Sequence, residues 1–241
     1  MTRSQRKRTP VEPAPEGFDG EYAEEVTNSS YKELEILAFW ALGHGPQLFV
    51  IGGWAAWHYH RGLGSRDIDV IFLDKGVLSR FLGAYYAANG YEAYGGLLNR
   101  RYRKRLSVNG RDVFVEIDAA SIEEGPPFHE DRNRTIPYTE LENHHVDWRV
   151  GPETVRIPTP ELLLLQKVKA LRDRSWDLDH AALGGVEVAF LQSKIWKDKY
   201  DILNLAPFIR HWGTVWDICD KHHCRNLVAE TFRNLGLGGS E

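Results

Sequence analysis

Two acidic side chains in this 241-residue sequence make a demand that ordinary surface carboxylates do not. Asp67 and Asp69 bracket Ile68 in the run Asp67-Ile68-Asp69-Val70-Ile71-Phe72, which reads as a strand. Alternation along a strand sends both carboxylates to one face and Ile68 and Val70 to the other, into a core. Carboxylates held side by side repel, and the arrangement is costly unless a cation sits beside them. Ligation by oxygen alone suits Mg²⁺ (or Mn²⁺), which keeps some of its waters and also binds substrate phosphates. Thirteen residues before Asp67, the apolar run Leu48-Phe49-Val50-Ile51 ends in Gly52-Gly53. Paired glycines at a strand-to-helix turn let the backbone approach a ligand and leave helix N–H groups facing an anion. A phosphate cradle beside a carboxylate pair is the equipment of phosphoryl or nucleotidyl transfer.

Such a site needs a third carboxylate from a neighbouring strand. Asn109-Gly110 is the preferred dipeptide of a type I′ hairpin turn, and Val113 to Ala119 after it is strand-like. Asp112, Phe114, Glu116 and Asp118 share one face of that strand by parity. Glu116 and Asp118 are therefore both candidates to complete a metal site and to take or orient the proton of an attacking hydroxyl. A lone Asp-x-Asp or Gly-Gly is common and means little. Their joint spacing on a strand–turn–helix–strand frame, with an acidic strand following a hairpin, sets this chain apart.

The elements that must position these residues can be read along the chain. Residues 1–28, a basic run followed by prolines and acids, have little to bury and read as a disordered arm. Ser30 and Glu33 have capping-box spacing, with Leu34, Leu37, Ala38 and Ala41 following at helical period. That helix should end near Gly43–Gly45. Helices are also expected from Trp54 and over Val77 to Ala88, giving at least four strands with helices between them by residue 120. Residues 121–155 read as irregular. From Pro158 the pattern becomes helical, over Leu162 to Leu171, Val188 to Leu203 and within Val215 to Leu235. The expected organisation is an α/β domain over 29–155 followed by a helical domain over 156–241.

Composition bounds the setting. The net charge of −4 means that any nucleic-acid binding must come from a local patch. Two cysteines, Cys219 and Cys224, provide no disulfide framework and fit a reducing, cytoplasmic location. No apolar run is long enough to span a bilayer, so no membrane partner is expected. Arg100, Arg101, Arg103, Lys104 and Arg105, with Tyr102 among them, suit RNA phosphates and a stacked base, or else a charge-protected edge strand. Cys219, His222, His223 and Cys224 resemble a zinc set by type, but positions 219 and 224 do not converge on one helix face.

The pattern Ile51-Gly52-Gly53 followed by Asp67-Ile68-Asp69-Val70 resembles the signature of the DNA polymerase β-like nucleotidyltransferases. Ser65 resembles a further position frequent in that superfamily, whereas Gly53 stands where many members have serine. Within it, the chain is most similar to the AbiEii-like group, which includes toxins of toxin–antitoxin pairs. Lys167-Val168-Lys169-Ala170 resembles that group's Lys-x-x-Ala helix, and Lys197-Asp198-Lys199-Tyr200-Asp201 its later acidic helix.

The resemblance implies a nucleotidyltransferase fold, a short mixed sheet with helices on it, followed by a helical C-terminal domain. It implies a Mg²⁺-dependent enzyme moving a nucleoside monophosphate from an NTP to an acceptor hydroxyl. Asp67, Asp69 and one of Glu116 or Asp118 would be catalytic and metal-binding. Gly52, Gly53, Ser65, Lys167 and Asp198 would bind the nucleotide. Lys167, Ala170 and Arg174 share one helix face, which suits a triphosphate tail. Asp198 and Asp201 could instead be paired by Lys194 or Lys197. RNA, such as a tRNA 3′ end, is the first acceptor implied, with an antitoxin as a possible partner. A small hydroxylated molecule of the aminoglycoside or lincosamide type comes second and a protein hydroxyl third. A non-catalytic binding module on the same fold is the alternative of a different class.

Overall fold

A computed structural model of the chain describes residues 22–43, 48–94, 101–180 and 185–237. Arg100 and most of the N-terminal arm lie outside the described residues. Seven strands form one mixed sheet in the order β3-β4-β5-β2-β1-β7-β6. They are β1 (Leu48–Val50), β2 (Ile68–Phe72), β3 (Glu92–Tyr94), β4 (Arg101–Val108), β5 (Arg111–Ser121), β6 (His145–Val150) and β7 (Glu153–Pro158). β2 runs parallel to β5 and β1 parallel to β7, while the remaining neighbours are antiparallel. The expected α/β class with a helical C-terminal part is what the structure shows.

The sheet forms where the alternation said it would. Ile68, Val70 and Phe72 are fully buried. They pack toward α1 (Glu24–Gly43) and α3 (Lys75–Asn89), where Phe72 meets Phe81 at 4.5 Å and Trp40 meets Phe81 edge-on at 4.6 Å. Asp74 caps α3 by accepting the Val77 N–H at 2.7 Å. The Asn109-Gly110 turn has positive φ at both positions, 51° and 75°, as a type I′ hairpin requires. On the helical side, α4 (Pro160–His180) carries Leu162, Leu163, Leu164, Leu165 and Val168 with no exposed surface. A helix apolar all round is one enclosed on every side. α2 (Gly52–His60), α5 (Gly185–Leu205), α6 (Trp212–Lys221) and α7 (Arg225–Asn234) pack around it. Among the described residues no helix is long and apolar enough to cross a membrane.

Several expectations are corrected. The first helix begins at Glu24, not Ser30, because Tyr22 and Val26 are drawn into the core; order therefore starts inside the segment expected to be an arm. Ser30 and Glu33 form no capping box: Ser30 Oγ accepts the Trp54 indole N–H at 3.3 Å, and Glu33 accepts from Lys104 Nζ at 2.8 Å. Residues 121–155 are not irregular throughout, since β6 and β7 make a hairpin around Gly151. Its signal was the period-two set Trp148, Val150, Val155 and Ile157, all buried. A division at 155/156 falls inside β7, which supplies β1 with a parallel neighbour. Finally, β4 is no edge strand, because it lies between β3 and β5.

The enclosure of α4 and the pairing of β7 give a direct expectation. A chain ending at residue 155 lacks half of β7 and every buried leucine of α4, and should show no cooperative thermal transition. Calorimetry of that fragment beside the full chain checks this.

Candidate active site

The sequence-predicted residues meet in a cleft of about 550 Å³ between the sheet and helices α4 and α5. Its floor is made by β2 and β5. Parallel pairing sets Asp69 opposite Asp118 and Ile68 opposite Ile117, so the two acids stand side by side on adjacent strands. Asp67 lies just before β2, and Asp67, Asp69, Glu116 and Asp118 all line the cleft. Glu116 differs from Asp118 in its partners: it accepts the Tyr94 hydroxyl at 2.5 Å and stands opposite Arg103 of β4. The register therefore puts Asp118, rather than Glu116, next to Asp69.

Electrostatics separates these carboxylates. Burial and then the Asp67 charge raise the pKa of Asp69. Asp118 opens to solvent at the rim, but the protein crowding around it, and then the Asp69 charge, push it up to about 6. Asp67 is the opposite case. Burial would raise it, but Lys194 Nζ at 3.0 Å and Arg66 Nε at 3.0 Å hold it below the usual range. Burial and neighbouring carboxylates thus raise two of the acids, while the third is held down by two cations.

That pattern fits a hard cation by donor type and by placement on adjacent strands. Among the described residues, however, no three His, Cys, Asp or Glu side chains converge as a metal-holding group. Asp67, engaged by Lys194 and Arg66, is the acid whose present partners compete with such a role.

The glycine turn explains itself sterically. Gly52 has φ +64°, and a Cβ there would lie 1.9 Å from Asp69 Oδ2. Only glycine lets the start of α2 press against the carboxylate. At Gly53 a Cβ would meet Ser65 Oγ at 2.6 Å, so the buried Ser65 is packed directly against the turn. Ile51 occupies the N-cap, and no side chain caps α2. Its first N–H groups are thus left to whatever occupies the cleft.

Lys167 and Asp198 line the cleft but are not free. Lys167 Nζ lies 2.7 Å from Asp201 and 3.3 Å from Asp198. Lys197 also reaches Asp201, at 3.0 Å, Arg174 pairs with Asp198, and His60 Nε2 lies 3.2 Å from Asp201. His60 Nδ1 accepts the Gly62 N–H at 3.0 Å, so Nε2 carries the proton toward Asp201. Burial would raise the Asp201 carboxyl, yet Lys167 and Lys197 hold it far below its ordinary value. Burial would lower Lys167, and Asp201 and Asp198 override it upward. The face that put Lys167 and Arg174 together in the sequence is real, but what it meets in the protein is Asp198.

Sequence reasoning weighed Lys194 and Lys197 only as partners of the α5 acids. It passed over Arg66, Tyr138 and Gln166, which also line the cleft. These polar positions share no short motif, and only the fold brings them together. Cys219 and Cys224 are buried in the core, and His222 pairs with Glu140 at 2.7 Å. A smaller cavity of about 390 Å³ around Arg172 contains neither a glycine turn nor a paired strand acid.

Two measurements follow from this geometry. Gly52→Ala should lower stability by roughly 1–3 kcal/mol, whereas Gly83→Ala, in α3 with open space around it, should raise it by about 0.5–1 kcal/mol; denaturant titration of both decides. The second uses the raised pKa of Asp118. Unfolded, this group ionises near 3.8; folded, it does so near 6. Its stabilising contribution is full below the lower value and lost as pH rises through the upper. Asp118→Asn should therefore leave the melting temperature unchanged relative to the parent at low pH and raise it above pH 6. Solvent screening of this open group keeps the gain to about 1 kcal/mol.

No protein-family model matches the sequence, and no curated protein does. Among solved structures the chain is similar to an antigenic nucleotidyltransferase-like protein from Paracoccidioides brasiliensis. The identity is 12% and the TM-score 0.48, over 86% of this chain and 93% of that one. It is similar to the lincosamide antibiotic adenylyltransferase LnuA in its lincomycin-bound form, at 15% identity and TM-score 0.42, over 74% and 97%. It is also similar to the antibiotic-resistance factor ANT(2'')-Ia, at 12% identity and TM-score 0.36, over 83% and 99%.

Proposed function

We propose that this chain is a divalent-metal-dependent nucleotidyltransferase that moves a nucleoside monophosphate from an NTP to an acceptor hydroxyl and releases pyrophosphate. The observation that carries the reading is the pairing of Asp69 with Asp118 across β2 and β5, beside the uncapped glycine start of α2. Asp67, Asp69 and Asp118 would hold Mg²⁺, which when bound supplies positive charge to the phosphates and the attacking oxygen. Gly52 and Gly53 present backbone N–H groups to a phosphate, with Ser65 packed behind them. Lys194, released from Asp67, and Lys197 supply cations along the same wall. Asp118 would also take or orient the proton of the acceptor hydroxyl. Lys167 and Asp198 act by fixing that wall. The catalytic unit then comprises the whole sheet to Pro158, with the helices that follow forming the other side of the cleft.

The geometry favours a small hydroxylated acceptor over RNA. Most of the basic strand that suggested RNA is engaged by neighbouring side chains, while Arg101 lines the cleft. Tyr102 stacks on Tyr86 at 3.9 Å, Lys104 binds Glu33, Arg105 pairs with Asp112, and Arg103 lies over Phe114 at 4.2 Å. A cleft of about 550 Å³ matches a compact substrate. The toxin role and an antitoxin partner rest on the sequence resemblance alone.

The test is incubation with Mg²⁺ and each labelled NTP, against tobramycin, lincomycin and total RNA as acceptors. Label should pass to a small molecule, and Asp67→Ala and Asp69→Asn should each cut the rate by about a thousandfold or more without loss of folding. Label in RNA would restore the RNA reading. Metal-dependent nucleotide binding without turnover on any acceptor would favour a non-catalytic module.

A further inference from the structure

Gln166 lies on the stripe of α4 that includes Leu163 and Ala170, next in sequence to the ion-paired Lys167, and it lines the cleft. Both its amide oxygen and its amide nitrogen are buried without a hydrogen-bond partner. Among the described residues it is the one side chain in which two polar atoms go unmet. Buried amides are nearly always paired, so an orphaned one calls for a cause. The side chains beside it are apolar or flat. Leu163 and Ile136 are almost wholly buried, and Tyr138 stands near Asp69, whose charge is among the causes that raise its hydroxyl to about 12 after burial itself. Of the nearby cations, Arg174 and Lys167 turn toward Asp198 and Asp201 of α5, Lys194 toward Asp67, and Lys169, one turn along α4, pairs with Asp173.

The cleft is therefore divided. One part, with the α2 N-terminus and the lysines of α5, suits phosphates. The other has Leu163, Ile136 and the Tyr138 ring, with Lys169 and Asp173 already paired, and a carboxamide with a donor and an acceptor both unmet. We propose that Gln166 reads the edge of the nucleobase. This rests on the nucleotidyltransferase reading above. A base needs apolar contact on its faces and a donor–acceptor pair at its edge. A glutamine amide matches the adjacent N–H and ring nitrogen of adenine in a bidentate pair. Rotation about the side-chain torsions brings the amide out of the wall, and ligand binding then satisfies the two atoms that the free protein leaves unmet.

A residue kept for ligand and not for fold has a distinctive signature, because its replacement by an apolar side chain should not destabilise the free protein. The test is titration calorimetry in Mg²⁺ with a non-hydrolysable α,β-methylene ATP analogue and with inorganic tripolyphosphate, alongside melting of the free protein. For Gln166→Leu and Gln166→Met, the ATP analogue should bind about tenfold or more weakly. Tripolyphosphate should bind as it does to the parent, and the melting temperature should hold or rise. An unchanged affinity for the ATP analogue overturns the assignment, as does a fall in melting temperature with equal loss of both probes. A parent that binds neither probe overturns the nucleotide reading itself, and the assignment with it.

Discussion

Five charged side chains and a histidine, packed where α2, α4 and α5 meet, set the position of everything that faces the cleft. Asp201 has no solvent exposure and lies within 3.2 Å of Lys167, Lys197 and His60; Asp198, 1% exposed, ties Lys167 to Arg174. Charges taken this far from water are tolerable only when their partners are held in good geometry, and removing one partner leaves another uncompensated, at a cost of about 3–5 kcal/mol. The cluster is thus unforgiving of displacement. α2 begins at the glycine turn and ends at His60, so the cluster fixes the far end of the helix whose near end presses on Asp69. Sheet and helical part are joined through the element that would receive phosphate.

Against that fixed wall, the floor is held in tension. Asp69 and Asp118 share a register position on parallel strands; the Asp69 charge makes Asp118 harder to ionise, and the Asp67 charge does the same to Asp69. Asp67 escapes only because Lys194 and Arg66 attend it. Direct ion pairs fall on the one acid nearest the helices, and the cations near the two on the sheet do not outweigh burial and neighbouring acids. Such a floor is poor design for stability and good design for gripping a cation with its phosphates, which is a common divergence between what a fold needs and what a site needs.

The legibility of the sequence follows from how local each signal was. Ile68, Val70 and Phe72 alternate with Asp69 in five consecutive residues, so β2, its buried face and its acidic face could all be read. Asn109-Gly110 fixed a hairpin by its dihedral needs alone. The β6–β7 hairpin was passed over although Trp148, Val150, Val155 and Ile157 alternate with polar residues; the strand that needs it, β1, is far away in sequence. The choice between Glu116 and Asp118 was invisible to parity, since both share a face; only the β2–β5 register separates them. Lys167 and Arg174 were correctly placed on one helix face. What that face meets is a tertiary fact, supplied by Asp198 and Asp201 on a helix whose angle no motif encodes. Gln166 carried no signal at all, because an orphaned amide exists only once its surroundings do.

The pairing of Phe49 with Arg156 has a consequence for how the molecule is made. These partners are separated by roughly a hundred residues, and contacts of such long range form late and slow the search for the native state. On a ribosome, β1 emerges early and must wait, three residues long and wholly apolar, until β7 has followed it out. β2 can pair with β1 at once, but the other edge of β1 stays open through most of synthesis. An unpaired apolar edge of that kind invites pairing with another chain. The strand that leads into the glycine turn is therefore also the point at which a nascent copy of this protein is most exposed to misassembly, and slowing translation after β5 should lengthen that exposure.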